Sequence, residues 1–340
     1  MITEKQINEI KDELDHCKRP IFFFHDDPDG LCSFLLFYRY TREGKGIVIK
    51  THPKITEMFI RKVDEYGADK VFVLDIAMVD QEFIDGVRIP VVWVDHHEPQ
   101  ERNKVKYYNP RIRGNNIPPS EICYKVVKQD MWISMAGCIG DWYIPDFVEE
   151  FCKEYPDLMD ISITNPAEVL FNTKLGKLVK ILSFNMKGKT QDVIKSAKVL
   201  TRIESPYEIL NRTTPKGNYI YKKYQKVREN YDKLIKDAVE KKTDDKFLLF
   251  PYVNDKISLT KDLANELLYK FPDKIVIVAR EKSGEMKCSI RTGADTPVSD
   301  ALQRALVGIE GYGGGHEHAC GAVIKKEDFE KFLENLRNEL

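Results

Sequence analysis

The first hundred residues alternate between short apolar runs and segments with helical spacing, and this alternation limits the fold more than any other feature. Residues 21–24, 47–50, 70–74 and 91–94 read as buried strands, with helical patterns at 31–40 and 55–66 between them. Strands that alternate with helices join as parallel neighbours, because each helix carries the chain back across the sheet. We therefore expect an α/β fold: a mostly parallel sheet with helices on both faces.

The pattern changes twice further along the chain. Residues 119–204 read as helical, and residues 218–242 form one long amphipathic pattern. After a charged stretch, strands and helices alternate again from residue 247. We expect a first domain at 1–204, a helical linker at 205–243 and a smaller α/β domain at 244–340, with the boundary near residues 243–246.

Composition excludes several classes of protein. The formal net charge of −1 excludes a surface that is basic throughout, of the kind that binds duplexes non-specifically. No apolar run is long enough to span a membrane, and the charged N-terminus does not read as a secretory signal, so we expect a cytoplasmic protein with no membrane contact. Seven cysteines occur singly, which predicts reduced thiols instead of a zinc knuckle or a disulfide framework.

Residues with metal-ligating side chains follow three of the predicted strands directly. His25 follows the first strand, Asp75 follows residues 70–74, and Asp95 follows residues 91–94. The carboxyl ends of parallel strands share one edge of the sheet, where ligands bind in open α/β folds. Three separate segments are therefore expected to meet at one site.

Each motif is weaker alone than in combination. The segment His25-Asp26-Asp27-Pro28-Asp29-Gly30 contains an ordinary turn sequence, and Asp75 taken alone reads equally well as a helix cap. Asp95-His96-His97 is more specific, because three polar residues after a buried strand are costly to desolvate without a partner. A fourth segment, residues 136–141, has small residues before Asp141.

Together these segments resemble the DHH phosphoesterase superfamily in their order and spacing, and Asp95-His96-His97 is the motif that names it. Residues 313–321 (GGGHEHACG), preceded by residues 288–293 (CSIRTG), resemble the signature of the DHH-associated C-terminal domain. A dinucleotide-binding loop is the competing interpretation of these glycines, but they lack the GxGxxG order and a following helix.

The resemblance implies two divalent metal ions at the edge of the sheet. His25, Asp29 and Asp75 would hold one ion, and Asp27, Asp75, His96 and Asp141 the other. Asp95 would orient a histidine and His97 would face the substrate phosphate. The mixed nitrogen and oxygen donors suit Mn²⁺, with Mg²⁺ as the alternative, and such pairs of ions activate water for attack on phosphorus.

In the C-terminal domain, the resemblance implies a substrate-binding role for five residues: Arg291, Gly313, Gly314, Gly315 and His316. The arginine offers a planar fork of donors, and a glycine loop would allow close approach of the backbone. Nano-RNase and pyrophosphatase branches have an aspartate at the position of Leu31. The His-x-Asp-x-Asp-Gly order found here resembles the RecJ-like single-strand exonucleases instead.

The leading hypothesis is thus a two-metal phosphodiesterase, a RecJ-like exonuclease that hydrolyses single-stranded DNA or RNA to mononucleotides. One alternative is a nano-RNase or cyclic dinucleotide phosphodiesterase acting on very short substrates. The other is a non-catalytic replication or repair scaffold. Expected partners are single-stranded nucleic acid or short oligonucleotides, with replication or repair proteins as further candidates.

Overall fold

The computed structural model describes residues 2–50, 54–241, 244–254, 257–293 and 295–340. The chain forms two compact units, residues 1–225 and 226–340, which divide within the long helix Pro215–Glu240. The predicted boundary at residues 243–246 lies in part outside the described residues. The long amphipathic helix itself is confirmed.

The first unit is built on a five-stranded sheet of order β2-β1-β4-β6-β7, in which every neighbouring pair is parallel. A separate two-stranded pair joins β3 to β5. The strands are β1 Pro20–His25, β2 Lys45–Ile49, β3 Lys54–Ile55, β4 Lys70–Leu74, β5 Met78–Val79, β6 Val91–Val94 and β7 Lys106–Tyr108. The predicted helix at 55–66 begins only at Ile60, because β3 and a short 3-10 turn occupy its first residues.

Helices account for most of the remaining first unit. They are α1 Glu4–Asp15, α2 Pro28–Thr41, α3 Ile60–Tyr66, α4 Gln81–Gly86, α5 Pro119–Val127, α6 Met131–Gly140, α7 Val148–Glu154, α8 Pro166–Asn172, α9 Lys174–Asn185, α10 Thr190–Leu200, α11 Pro206–Leu210 and α12 Pro215–Glu240, of which α12 continues into the second unit.

Both faces of the parallel sheet are covered, as the sequence predicts. On one face Phe23 of β1 packs edge-on against Phe83 of α4, with ring centroids 5.7 Å apart. On the other face Phe22 contacts Phe34 of α2 at 5.8 Å and stacks on Phe72 of β4 at 5.4 Å. Alternate strand residues point to opposite faces, so these neighbours bury both sides of the sheet. The expected α/β class is confirmed.

The second unit contains a mixed five-stranded sheet of order β11-β12-β10-β9-β8. Strands β8 and β9 pair in parallel and the other neighbours pair antiparallel. Its elements after α12 are β8 Phe247–Val253, α13 Thr260–Lys270, β9 Ile275–Lys282, β10 Glu285–Arg291, α14 Ser299–Ala305, β11 Gly311–His316, β12 Ala319–Lys325 and α15 Phe329–Glu339.

The glycine-rich segment corrects one expectation, because it is an edge strand and not a loop. Gly313 pairs with Ala322 and Gly315 with Cys320 in the antiparallel ladder between β11 and β12. A Cβ atom at Gly313 would lie 2.8 Å from the carbonyl oxygen of Gly321, and one at Gly315 would lie 2.4 Å from that of Ala319. Two of the three glycines are therefore required by strand packing.

Two predictions from composition can be compared with the described residues. None of their helices combines the length and apolarity needed to cross a bilayer. All seven cysteines carry free thiols, and five of them are buried, in agreement with the expected reduced state.

We expect Gly137→Ala to destabilise the first unit. A Cβ atom there would lie 2.5 Å from Ser120 Oγ and 2.9 Å from Cys32 Cβ, where α6 packs against α5 and α2. Overpacking of this kind costs about 1–3 kcal/mol. Denaturant unfolding followed by circular dichroism measures the change. Gly321→Ala is the control, because its nearest contact is an ordinary 3.6 Å; equal stability of both variants would contradict the prediction.

We also expect stability to depend on the ion pair that joins α1 to the sheet. Glu13 is buried, and its carboxylate contacts Lys70 Nζ at 2.5 Å and also Lys106. Burial opposes ionisation, but the two ammonium groups outweigh it and hold the pKa of Glu13 below its usual value. A lowered carboxyl pKa adds stability above the unfolded-state pKa, and this stability is lost as pH falls through the folded-state pKa.

Glu13→Gln should therefore lower the unfolding free energy at pH 7 by about 3 kcal/mol, since it leaves Lys70 buried without its carboxylate. Below about pH 4 the difference between variant and wild type should shrink. Urea titrations at several pH values test this, with the exposed Glu57→Gln as control. A difference that is independent of pH would contradict the assignment.

Candidate metal centre

The candidate residues lie at one edge of the parallel sheet because three central strands end there in register. His25, the last residue of β1, pairs with Ile49 of β2. The Asp75 amide donates a hydrogen bond to the Val94 carbonyl at 3.0 Å, and the Asp95 amide donates to the Tyr108 carbonyl at 3.1 Å. The ladder thus continues one residue beyond the strands and brings together segments that are far apart in sequence.

Asp75 adopts a backbone conformation that non-glycine residues seldom take. Its φ is 57°, and the residue is only 1% exposed. A left-handed conformation at a residue with a Cβ atom is unfavourable unless the surrounding structure imposes it, and aspartate tolerates it better than most residues. The turn sends the chain away from β4 while the carboxylate stays at the edge of the sheet.

The N-terminus of α2 carries two of the carboxylates. Asp27 is the N-cap, and its Oδ1 accepts a hydrogen bond from the Gly30 amide at 3.1 Å. Asp29 lies in the first turn, is buried, and accepts a hydrogen bond from the Ser120 amide at 2.9 Å. Gly30 permits the close approach of this turn to β1, because a Cβ atom would lie 2.7 Å from the His25 carbonyl oxygen.

Helix α6 brings Asp141 to the same place. Asp141 is its C-cap residue. Gly140 lets the end of α6 approach the start of α2, since a Cβ atom there would lie 2.6 Å from Pro28 Cβ. Gly140 therefore has a packing role. Because it lets α6 approach α2 closely, Asp141 at the end of α6 becomes the fourth segment of the site.

The side chains form three overlapping groups in which one ligand atom per residue lies within 4.8 Å of the others. They are His25 with Asp27 and Asp75, Asp29 with His96 and Asp141, and Asp75 with His96 and His97. The carboxylates are close to histidine nitrogens: His25 Nδ1 is 3.1 Å from Asp27 and 3.3 Å from Asp75. His96 Nε2 is 3.5 Å from Asp75 and 3.4 Å from Asp141. Asp75 thus lies between the first two groups.

This grouping differs from the predicted division of ligands. The resemblance implied His25, Asp29 and Asp75 around one ion, and Asp27, Asp75, His96 and Asp141 around the other. In the structure Asp27 lies with His25, while Asp29 lies with His96 and Asp141. The physical reason is the change from strand to helix between them: Asp27 has extended backbone and stays beside β1, whereas the first turn of α2 points Asp29 towards α5 and α6.

The carboxylates and histidines of the site shift one another's pKa values. Burial and the neighbouring carboxylates of Asp75 and Asp141 raise the pKa of Asp29 well above its usual value. Burial disfavours the charged form of His96, but Asp141, Asp75 and Asp29 outweigh it and raise its pKa to about 10. The same balance, with Asp27 as the strongest carboxylate, raises the pKa of His25. The cluster of carboxylates therefore favours positive charge at its centre.

These residues fit divalent cations. Asp29 Oδ2 and His96 Nδ1 are buried without a hydrogen-bond partner among the described residues. Four carboxylates and three histidines within a few ångströms supply oxygen and nitrogen donors of the kind that Mn²⁺ accepts, and cation binding would relieve the carboxylate repulsion. Such binding would also displace protons from the histidines, because a ligating imidazole is neutral.

His97 is held by groups on both sides. Asp95 is fully buried, and its two oxygens contact the His97 amide at 3.0 Å and His97 Nδ1 at 2.8 Å. The side-chain amide of Asn109 donates to the His97 carbonyl at 2.9 Å and to the Tyr107 hydroxyl at 2.7 Å. The ring of His97 is thereby fixed in one orientation at the edge of the site.

Sequence reasoning missed Ser120 and Asn109, which position Asp29 and His97. Ser120 acts through its backbone amide, which leaves no signal in the side-chain pattern. Asn109 follows β7, a strand of three residues that the sequence pattern does not indicate. Its position directly before Pro110, after the apolar Tyr108, is the signal that could have indicated a strand end.

The predicted substrate-binding residues lie in the second unit. Arg291 ends β10, and its guanidinium donates to Asn265 Oδ1 at 2.6 Å and to the carbonyls of Ile290 and Cys320 at 2.8 and 3.1 Å. Burial lowers its pKa to about 10. Gly313 and Gly315 pack against β12, whereas no atom of the described residues lies within 4 Å of a Cβ atom at Gly314. His316 is exposed at the end of β11.

Family models and solved structures agree with this architecture. The DHH family N-terminal domain matches residues 21–143, and the DHHA1 domain matches residues 252–340. RecJ from Thermus thermophilus, solved with Mn²⁺, superposes with a TM-score of 0.69 at 13% identity over 98% of this chain and 54% of RecJ. This chain thus spans about half the length of that relative.

Two further solved structures are similar over nearly their full length. An exonuclease RecJ bound to manganese gives a TM-score of 0.62 at 13% identity, covering 98% of this chain and 94% of that one. A DHH domain from a protein described as a member of a family of ribosomal proteins gives 0.64 at 15% identity, covering 98% and 89%. At these identities the likeness is one of fold. A search of curated proteins finds no match.

The two family models together span both units, and the site carries the Asp-His-His motif at the end of β6. The chain belongs to the DHH phosphoesterase superfamily.

We expect Asp29→Asn to change stability in opposite directions with and without Mn²⁺. Without metal the variant should be more stable than wild type at pH 7, because it removes a carboxylate that is repelled by Asp75 and Asp141. With Mn²⁺ at about 100 times its Kd, wild type should gain about 2.7 kcal/mol per site, and the variant should lose the gain from the affected site.

Differential scanning calorimetry with chelator and with MnCl₂ measures both effects. Asp64→Asn in α3 is the matched control, since Asp64 is exposed and lies outside the three groups. An Asp29→Asn protein that Mn²⁺ stabilises as strongly as wild type would remove Asp29 from the metal centre.

Proposed function

We propose that this chain is a metal-dependent phosphodiesterase, a RecJ-like exonuclease that hydrolyses single-stranded DNA or RNA to mononucleotides. The observation that carries the proposal is the meeting of four carboxylates and three histidines at the edge of the sheet, among them Asp29, whose buried Oδ2 has no hydrogen-bond partner among the described residues. The superfamily and the RecJ-like fold support the same reaction class.

In this proposal two cations are held by two sets of side chains. His25, Asp27 and Asp75 would hold one, and Asp29, His96 and Asp141 the other, with Asp75 shared between them. Mn²⁺ is the proposed ion and Mg²⁺ the alternative; RecJ from Thermus thermophilus was solved with each. Paired divalent cations supply Lewis acidity and a water nucleophile at neutral pH.

The remaining residues would act on the substrate directly or through a neighbour. Burial disfavours the charged form of His97, but the hydrogen bond from Nδ1 to Asp95 and the nearby Asp75 carboxylate outweigh it and raise the pKa of His97. The protonated ring would then carry a second proton on Nε2, which could donate a hydrogen bond to a phosphate oxygen. Asn109 fixes the backbone of His97 and is a positioning residue. No protein nucleophile is required in this scheme.

Basic residues beside the centre match an anionic substrate. Lys50 follows β2, the strand next to β1, and its ammonium donates to the Gly188 carbonyl at 2.7 Å. This bond holds residues 187–189, which include Lys187 and Lys189, close to the metal-binding edge of the sheet. We propose that Lys187 and Lys189 contact phosphates of the substrate backbone.

In the second unit, Arg291, Gly313, Gly314, Gly315 and His316 remain proposed substrate-binding residues. Arg291 already uses donors within its own unit, so the exposed His316 and the open space at Gly314 are the stronger candidates for direct contact. A non-catalytic scaffold is the less favoured function, because scaffolds have no need to retain a complete set of buried ligands.

The test is hydrolysis of four substrates by the purified protein with Mn²⁺ or Mg²⁺. Single-stranded DNA and RNA, each labelled at either end, a linear dinucleotide and a cyclic dinucleotide are incubated and their products separated. We expect mononucleotides from the long strands. Preferred turnover of a dinucleotide would instead support the short-substrate alternative, and inactivity on all four with metal bound would support the scaffold.

We expect His97→Gln to lower kcat about 10²-fold while the affinity for Mn²⁺, measured by calorimetry, stays within about threefold of wild type. Glutamine keeps a donor group but loses the ring orientation that Asp95 imposes. Asp75→Asn should abolish turnover and weaken Mn²⁺ binding at both sites, because Asp75 is the carboxylate that they share, and Asp64→Asn should change neither turnover nor Mn²⁺ binding. A His97→Gln protein with wild-type kcat would exclude a catalytic role for this histidine.

A further inference from the structure

Positive charge is concentrated in one part of the first unit. Residues 174–225 contain twelve lysines and arginines and three acidic residues, a net charge of +9, although the whole chain has a net charge of −1. The other residues therefore carry −10 in total. This segment forms α9, α10, α11 and the first part of α12. Such an asymmetry indicates a local partner with many negative charges.

Several of these cations lie against aromatic rings. Lys177 Nζ is 5.4 Å from the ring centroid of Tyr221, and the Arg212 guanidinium is 5.1 Å from the same ring. Lys195 is similarly placed 5.3 Å from Tyr219. Three acidic residues stand against twelve basic ones in the segment, so its own carboxylates can neutralise only a minority of its cations. A cation over a ring keeps its charge and remains able to attract an anion.

Aromatic rings with lysines beside them also lie between Tyr221 and the metal centre. Trp142 follows Asp141 directly, with a φ of 60°, and its ring lies edge-on to Phe171 at 6.2 Å. Lys180 is 5.7 Å from the Phe171 ring. One helical turn along α9 from Lys180 is Lys177, which leads to Tyr221.

We call this run the aromatic track: Trp142, Phe171, Lys180, Lys177, Tyr221 and Arg212. None of its three rings is fully buried.

We propose that the aromatic track binds a single-stranded polynucleotide that extends from the metal centre. Rings interleaved with cations suit a strand whose bases are free to stack and whose backbone carries a charge at every residue. A duplex hides the faces of its bases and would not use the rings. The inference rests on the proposed function, because it gives that function a substrate longer than the metal centre alone would bind.

The test is fluorescence anisotropy of 5′-fluorescein-labelled dT16 in EDTA, so that the strand is not cleaved. Tyr221→Leu should weaken binding by about 5- to 100-fold, the loss of one stacked base, whereas Tyr221→Phe should bind as wild type does. The double variant Lys177→Gln/Arg212→Gln should lower the slope of log K against log salt concentration by about 1.4, the value for two phosphate contacts on a single strand.

Lys5→Gln/Lys62→Gln is the matched control, because it removes the same charge from exposed positions in α1 and α3. It should bind dT16 as wild type does. Circular dichroism and Mn²⁺ calorimetry on every variant show whether the fold and the metal centre are intact. A variant that fails to fold is replaced by Lys177→Gln alone, for which the expected change of slope is about 0.7.

Wild-type affinity in Tyr221→Leu, or an equal loss in the control, would overturn the proposal, as would competition by polyglutamate as strong as that by unlabelled dT16. Failure of the two proposals can be distinguished. Tight strand binding in EDTA without hydrolysis of any substrate in Mn²⁺ would support the track and contradict the phosphodiesterase. Hydrolysis of bis(p-nitrophenyl) phosphate without dT16 binding would support the phosphodiesterase and contradict the aromatic track.

Discussion

The main constraint on the first unit is that its fold must hold several carboxylates close together although they repel one another. Asp29, Asp75 and Asp141 come from three different segments and are brought together by helix packing and by the register of parallel strands. Burial makes this repulsion stronger, as the raised pKa of Asp29 indicates. The tightly packed core of phenylalanines and valines beneath them stabilises an edge that would otherwise separate. The fold thus supplies the energy that keeps the site assembled.

Much of this architecture can be predicted from the sequence, because the spacing of apolar residues identifies the strands and the position of a polar residue directly after a strand places it at the edge of the sheet. Buried parallel strands read as continuous apolar runs, and β1, β4 and β6 are predicted nearly to the residue. Once the strands are placed, the polar residue that follows each one must lie at the common edge. The convergence of His25, Asp75 and Asp95 required no knowledge of side-chain contacts, only of the direction in which the strands run.

The parts that could not be predicted depend on local geometry that sequence patterns do not encode. Asp27 and Asp29 are two residues apart across a change from strand to helix, and a rotation of the first turn decides which neighbours each one meets. Strand β7 has three residues, too few for a periodic signal, and β11 consists largely of glycine, which has low strand propensity. Both are specified by the neighbouring strand, and so by tertiary structure.

The left-handed backbone at Asp75 has a consequence for how such a protein can change over time. Asparagine and glycine are the residues that tolerate this conformation best, and each is one nucleotide substitution away from aspartate in the genetic code. Either would keep the turn after β4 while removing the shared carboxylate. A single nucleotide substitution could therefore remove the metal-dependent reaction and leave the fold intact. Descendants that keep this fold without its activity are thus easy to reach in evolution.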